Sequence, residues 1–419
     1  VMKLLLSLIG ISMSCMTLPL HGSERVIQQV NAQSKSSTHY PHQREAIGTV
    51  REMYDGSLST ATAVSTFRNI HRLFPSATIP KSNKPFPLKA AAKPLSSFVF
   101  TDRGRQVSLD QYLELNQIAG LLILKDRQIY LERYRFGNTE KTRWMSMSIA
   151  KSITSTLIGA ALKQGKIKSL QDPVVKYVPE LKTSAYANVS IRDVLTMSSG
   201  VRWNETYTDL RSDRRRLLEA QIAQKPGAAL AVLQQLPRQA EPGTLFNYNT
   251  GETQVAAQVL RNAVGMPLSQ YLGERIWSRF GMEAEASWWL DSPNGVEIGG
   301  SGMSATLRDY GRFGLFMLAG GLADNEMILP TAWTYEATTP KALKNGELIP
   351  YAYLWWPVVT RDGLRDGAYS AIGIHGQYLY INPKQNMVIV VWGAQTRPVG
   401  GAQINDQAFF SAVSLAQFN

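Results

Sequence analysis

Apolar residues fill positions 118–124 without a break. After the polar stretch Lys125-Asp126-Arg127-Gln128, positions 129–135 alternate apolar and polar. An apolar run, a turn and a period-two segment predict two paired strands. Downstream the period lengthens. Ile149, Ile153, Leu157 and Ala160 recur at helical spacing, which predicts a helix over 148–164 ended by Gly165. Residues 166–290 read as largely helical with long loops. Positions 186–197 lead into the turn Ser198-Ser199-Gly200, and Gly251-Glu252 precede a helix over 253–261. A helix over 301–320 carries Leu307, Tyr310, Phe313 and Met317 on one face. Strands at 377–381 and 387–392, separated by Asn382-Pro383-Lys384-Gln385-Asn386, and a last helix over 406–418 close the pattern. Strands early and late with helices between predict one antiparallel sheet built from both chain ends, flanked by helices and carrying a mostly helical inserted lobe.

The same pattern divides the chain. Residues 1–22 read as an export signal, with Lys3 ahead of a mostly apolar stretch to Leu20 that Ser, Thr, Gly and Pro interrupt. Residues 23–44, polar and rich in Gln and Ser, read as a flexible linker, and 45–95 as an extension packed on the body. Residues 96–165 and 290–419 make up the sheet-containing domain, and 166–289 the helical lobe. No internal repeat is present, and no later stretch reaches the about 18 uninterrupted apolar residues of a spanning helix. The expected location is periplasmic or secreted. The single cysteine, Cys15, follows Ser12-Met13-Ser14, a poor lipoprotein match. A mature chain without it has no disulfide, thiolate ligand or cysteine nucleophile.

Composition alters this little. At 44% hydrophobic and 18% charged the 419 residues are those of an ordinary folded protein. The net charge of +12 raises nucleic acid as a partner. No zinc-finger spacing, RNP-like strand or long basic block supports it, and the densest run, Arg211 to Arg216, reads as a solvated helical face. Oligomeric state is left open.

The chemistry centres on Ser148-Ile149-Ala150-Lys151. A hydroxyl and an amine three residues apart at a helix start share one face. A buried lysine loses proton affinity, so it can stay neutral and take the serine proton. Tyr248 follows in Phe246-Asn247-Tyr248-Asn249-Thr250-Gly251. Four of the five histidines, His21, His39, His42 and His71, precede this region; the fifth, His375, reads as packed or pocket-lining. No Gly-x-Ser-x-Gly elbow or His-Glu-x-x-His motif occurs, so neither a Ser-His-Asp site nor a metal or other cofactor is expected. Trp203, Tyr207, Trp288, Trp289, Trp355 and Trp356 are candidates for an apolar acyl pocket, though each alone reads better as core.

With the tetrad, the tyrosine motif, Gly299-Gly300-Ser301-Gly302-Met303 and the strand entry Gly376-Gln377, the chain resembles the serine hydrolase superfamily of class C β-lactamases, DD-peptidases and β-lactamase-like carboxylesterases. Within it, the 6-aminohexanoate-dimer hydrolase group is most similar, over roughly residues 95–415. The resemblance implies an α/β (α+β) fold of the β-lactamase/DD-peptidase type. It implies Ser148 as acylated nucleophile, Lys151 as its proton partner and Tyr248 as proton shuttle to the leaving group. Tyr207 looks like the extra tyrosine that grips a scissile amide. The oxyanion hole would combine the Ser148 N–H with one from an edge strand, for which Ile372 is the candidate. Two departures matter. Thr250 replaces the Asn of Tyr-x-Asn, and residues 368–377 hold no Lys-Thr-Gly, whose cation would grip a β-lactam or peptide carboxylate. The expected function is hydrolysis of a small ester or linear amide. A β-lactamase or DD-peptidase, and a non-catalytic binding protein on this scaffold, stand as alternatives.

Overall fold

The computed structural model describes residues 40–416. In walking order, the elements that matter here begin with strands β1 (Ser76–Ile79), β2 (Lys89–Ala90), β3 (Ile118–Lys125), β4 (Gln128–Tyr134) and β5 (Arg143–Met145). Helices α1 (Ile149–Lys163), α2 (Asp213–Ile222) and α3 (Thr250–Val264) follow, then strands β6 (Ala286–Trp289) and β7 (Met303–Thr306). Helix α4 (Leu307–Leu318), strands β8 (Trp356–Pro357), β9 (Tyr369–Gly373), β10 (Gln377–Asn382) and β11 (Met387–Gly393), and helix α5 (Asp406–Leu415) complete the set.

The larger sheet runs β8-β9-β10-β11-β3-β4-β2, antiparallel except where β2 lies parallel to β4. Its centre joins early and late chain, Ile123 opposite Ile389. Successive side chains of a strand face opposite sides. Accordingly Leu122, Leu124, Val388 and Val390 enter one core, while Leu121, Ile123, Ile389 and Val391 enter a second with Phe409 and Phe410 of α5. Both faces are covered, which is why 118–124 reads as unbroken apolar sequence. Helix α4 lies close on the first face because Gly311 and Gly314 leave room for Leu122 and Val388.

A second sheet, β1-β6-β7-β5, was not predicted. Residues 286–289 fall in the stretch read as helical, and 303–306 in the helix read as 301–320. That helix starts only at Leu307, where Thr306 Oγ1 accepts from the Asp309 N–H at 3.2 Å. Pairing of Ser304 with both Ser287 and Met145 overrides the local preference. Helix α3 also begins earlier than expected, at Thr250, capped by Asn249. Helices Ile191–Leu195, Ala228–Gln234 and Leu268–Leu272 supplement α2 and α3 between the sheets' early and late strands. The basic run is corrected too: Arg211 and Arg216 are exposed, but Arg214 and Arg215 are buried. Arg215 pairs with Asp55 at 2.6 Å and Arg214 bonds the Tyr54 hydroxyl. The expected export signal, Cys15, most of the linker and Phe418 lie outside the described residues.

Candidate active site

Strand β5 delivers the chain to the serine. Ser146 N donates to Met303 O at 2.7 Å, Met147 adopts a left-handed φ of 40°, and Ser148 stands at the N-cap of α1. A left-handed methionine is unfavourable, and it sits directly beside the candidate nucleophile. Although Ser is a favoured cap, the Ser148 side chain makes no cap bond. Its Oγ instead accepts from Lys151 Nζ at 3.0 Å.

Lys151 is 1% exposed, and α1 is buried on nearly every side from Ile149 to Ala161. Besides Ser148 it bonds Gly300 O at 3.1 Å, and its nitrogen lies 5.5 Å from the centre of the Tyr248 ring. Burial pulls its pKa down to about 7, with the Glu205 carboxylate acting against that fall and Arg214 adding to it. A lysine in this setting exchanges a proton near neutral pH. The Gly299-Gly300 segment forms its cradle. A methyl on Gly300 would stand 2.4 Å from Thr253 Oγ1, 3.1 Å from Lys151 Nζ and 3.1 Å from Thr250 Cγ2. Gly300→Ala is therefore expected to displace the amine and lower kcat about 10- to 10²-fold with little change in KM. Parental kcat on a p-nitrophenyl ester would contradict this reading of the cradle.

Tyr248 is half-buried, stacked on Trp356 (5.6 Å, 27°) and edge-on to Tyr351 (6.0 Å, 84°). Burial, with Glu205 second, raises its pKa, while hydrogen bonding to Ser148 opposes the rise. The phenol is thus neutral and a donor at neutral pH. Tyr207 lines the same cavity, its hydroxyl pushed well up by burial, with its ring 6.1 Å from that of Tyr54. The cavity holds about 330 Å³ and is lined by Ser148, Tyr207, Tyr248, Trp356, Ile372, Ile374, Gln395 and Val399 among others. Of the six aromatics singled out, Tyr207 and Trp356 reach it. Trp288, Trp289 and Trp355 are core, and Trp203 donates to Glu205.

The end of β9 runs against the serine amide. A methyl on Gly373 would stand 2.6 Å from Ser146 O and 3.0 Å from Ser148 N, so only glycine allows the approach. Val358 N donates to Ala368 O at 2.9 Å, which turns Ala368 toward the β8 side. By strand alternation Ser370 and Ile372 present their backbone groups on that same edge. Strand β8 pairs only as far as Ser370, so the Ile372 N–H lies on the edge past its end. His375 is fully buried: its Nδ1 donates to Gln395 O at 2.8 Å, its ring packs on Phe67, and burial draws its pKa to about 4. It is a packed, neutral histidine. Among the described residues no His, Cys, Asp or Glu cluster is arranged to hold a metal ion.

Glu205 escaped the sequence reading. Its carboxylate accepts from Thr250 N at 2.9 Å, from the Thr250 hydroxyl and from Trp203 Nε1. The threonine at the third motif position is thereby accounted for: its one hydroxyl proton goes to Glu205. Asn249 is occupied in capping α3, its Oδ1 accepting from Glu252 N at 3.2 Å. Nothing in the spacing of residues 201–207 distinguishes Glu205 from a solvated loop carboxylate.

A family model described as Beta-lactamase matches residues 109–413. A 6-aminohexanoate-dimer hydrolase of Paenarthrobacter ureafaciens is 30% identical over 303 residues, 68% of this chain and 75% of that protein. Among solved structures, a Bacillus anthracis protein assigned to the 6-aminohexanoate-dimer hydrolases superposes with a TM-score of 0.74 at 24% identity, covering 84% of this chain and 92% of that one. A penicillin binding protein from Bacillus halodurans superposes with a TM-score of 0.57 at 18% identity, over 74% of this chain and 100% of its own. At such identities the two structures bear on the fold alone.

Proposed function

The chain belongs to the β-lactamase family of serine-hydrolase-like enzymes, and on that premise we propose that it cleaves a small ester or linear amide through an acyl-enzyme on Ser148. The observation that carries this reading is the buried Lys151 amine 3.0 Å from the Oγ of Ser148, which in turn lines a cavity of about 330 Å³, large enough for a small acyl group. Ser148 Oγ attacks the substrate carbonyl as Lys151 takes its proton. The new oxyanion is held by the Ser148 and Ile372 N–H groups. Tyr248 then protonates the leaving alcohol or amine as the tetrahedral intermediate collapses and takes in return the former serine proton from Lys151, whose nitrogen lies against its ring, so that the acyl-enzyme is left with a neutral amine and a neutral phenol. Water enters by the reverse sequence and releases the acid.

Hydrolysis of a linear amide is what the Paenarthrobacter ureafaciens relative is named for. Against β-lactam or D-alanyl peptide chemistry stands the stretch 368–374, strand β9 and its flanks, which carries no Lys-Thr-Gly and no cation for the carboxylate, together with Thr250 in place of the motif's Asn. A panel of p-nitrophenyl acetate and butyrate, nitrocefin, a D-Ala-D-Ala peptide and the linear 6-aminohexanoate dimer tests this. Turnover of an ester or the linear amide is expected, with nitrocefin and the peptide at least about tenfold poorer in kcat/KM. Nitrocefin as the only substrate turned over would sink the proposal.

Ester and amide chemistry separate at the two tyrosines. An amine is a poor leaving group and needs a delivered proton, whereas p-nitrophenolate does not. Tyr207→Phe should lower amide kcat/KM about 10- to 10²-fold more than ester kcat/KM. Tyr248→Phe should harm both, since Tyr248 touches the nucleophile as well as the leaving group. Equal losses on the two substrates in Tyr207→Phe would make that residue a packing element.

A further inference from the structure

Behind the reacting groups lies one carboxylate that the scheme above does not use. Glu205 sits on the loop that also carries Tyr207, and both its oxygens are turned inward. Three donors converge on it: the Thr250 N–H at 2.9 Å, the Thr250 hydroxyl and the Trp203 indole N–H. An ionised carboxylate accepts all three; a neutral amide of the same shape accepts fewer and presents protons of its own. Thr250 is two residues past Tyr248 and opens α3, so the Glu205 bonds fasten the tyrosine turn to the loop. The loop is itself tied to α2, through Arg214 N to Asn204 O at 3.1 Å, Asn204 N to Asp213 Oδ2 at 3.0 Å, and Arg215 Nη1 to Tyr207 O at 3.1 Å.

We propose that Glu205 is a positioning residue of this site, clamping Tyr248 through Thr250 and supplying the negative charge that balances the Lys151 ammonium formed as Ser148 attacks. The proposal rests on the serine-hydrolase reading above. As the Ser148 Oγ–carbon bond forms, the carbonyl oxygen becomes an anion and the serine proton moves to Lys151, so a buried cation appears where none was. Glu205 and Arg214 are the charged groups whose fields reach that amine. The groups that touch it are uncharged, namely Ser148 Oγ, the Gly300 carbonyl and the Tyr248 ring, and the tyrosines that surround Tyr248, Tyr54, Tyr207 and Tyr351, have their hydroxyls pushed up by burial. Glu252, in the first turn of α3, has its carboxyl pushed well above the usual carboxylate range by burial and accepts from the Ser199 hydroxyl instead. Arg214 opposes the ammonium but is held back by the Tyr54 hydroxyl and ring. Glu205 is the group that favours it.

The test is the pH dependence of Ser148 phosphonylation by a fluorophosphonate, in the parent, Glu205→Gln and Glu205→Asp. Attack needs the neutral lysine, so the parent rate falls as pH drops through the lysine pKa near 7. Glu205 favours the protonated lysine, and removing its charge lets the amine stay neutral to lower pH. In Glu205→Gln the acid limb should move down by about half to one unit, and the plateau rate should fall about 10- to 10²-fold. Glu205→Asp keeps the charge but not the reach, so its limb should stay while its plateau falls. A clamp that was merely structural would lower both plateaus and leave both limbs in place. An unmoved limb in a folded Glu205→Gln overturns the charge role. Should Glu205→Gln not fold, a parental plateau in Glu205→Asp overturns the proposal. No labelling in the parent overturns the serine-hydrolase reading itself, and the role of Glu205 falls with it.

Discussion

Ser148→Ala is expected to leave the protein folded and without turnover. Ser148 Oγ bonds Lys151 and Tyr248, and Lys151 retains Gly300 O as acceptor when the hydroxyl is gone. The serine gives α1 no side-chain cap, so the usual cost of removing a cap, about 1 kcal/mol, does not apply. Chemistry has no such reserve. Without Oγ there is no atom to carry the acyl group, and losses on the order of 10⁴-fold or more in kcat follow when a nucleophile is removed. Intact-protein mass after brief exposure to p-nitrophenyl acetate, together with a thermal melt, measures both halves. Residual turnover within tenfold of the parent, or an acyl mass retained in Ser148→Ala, would remove Ser148 from the mechanism.

Lys151→Met should do something less usual: cut activity and raise stability together. Methionine has nearly the length of lysine and fills the same space without a base. The rate should fall by about 10² to 10⁴-fold, the range for a positioned acid–base group. In the parent, kcat/KM should decline below pH 7 as the lysine takes up its proton. Stability has the opposite sign. The folded pKa of about 7 lies below the ordinary 10.5, so between those values the unfolded chain holds more protons than the folded one. Parental stability therefore rises with pH across that window, and at pH 7 the buried amine costs about 4 kcal/mol. Lys151→Met escapes that cost and should melt a few degrees higher at pH 7, with the gain shrinking toward pH 10. A variant less stable than the parent at pH 7 would show that the amine is not held neutral at the protein's expense.

Much of this was legible in the sequence. Residues 118–124 and 387–392 announce themselves because both faces of the sheet are buried, and the apolar stripe of α1 because every neighbour is core. The tetrad needs only helical spacing to bring Ser148 and Lys151 together. What was hidden depends on partners far along the chain. Ala286-Ser287-Trp288-Trp289 is four residues long and buried throughout, so it shows no alternation to mark it as a strand even though Asp291-Ser292-Pro293-Asn294-Gly295 turns just after it; it becomes a strand by pairing with Ser76–Ile79 and with Met303 and Ser304. Arg214 and Arg215 look solvated until Tyr54 and Asp55 arrive from residues 160 positions earlier. Glu205 is ordinary until Thr250 donates to it. The backbone of β9 is silent because N–H groups leave no trace in residue type; only the glycine at 373, where a methyl would strike Ser146 O, hints at the close approach.

The strand pairings also set a timetable for the protein's synthesis. Ser148 is translated in the first half of the chain, yet the amide beside it is flanked by Gly373, and the sheet that carries Gly373 closes only when Lys125 finds Met387 and Gly120 finds Trp392. The small sheet makes the same demand, waiting for Met303 before Ser146 has its backbone partner. Such distant pairings form slowly, because the entropy of closing a long loop is lost before any contact repays it. A ribosome-bound chain that has released residue 300 has both reactive side chains but neither the cradle's surroundings nor the edge strand. On the proposed chemistry, the surroundings of Ser148 are therefore completed only when the last strands have been threaded into the sheet.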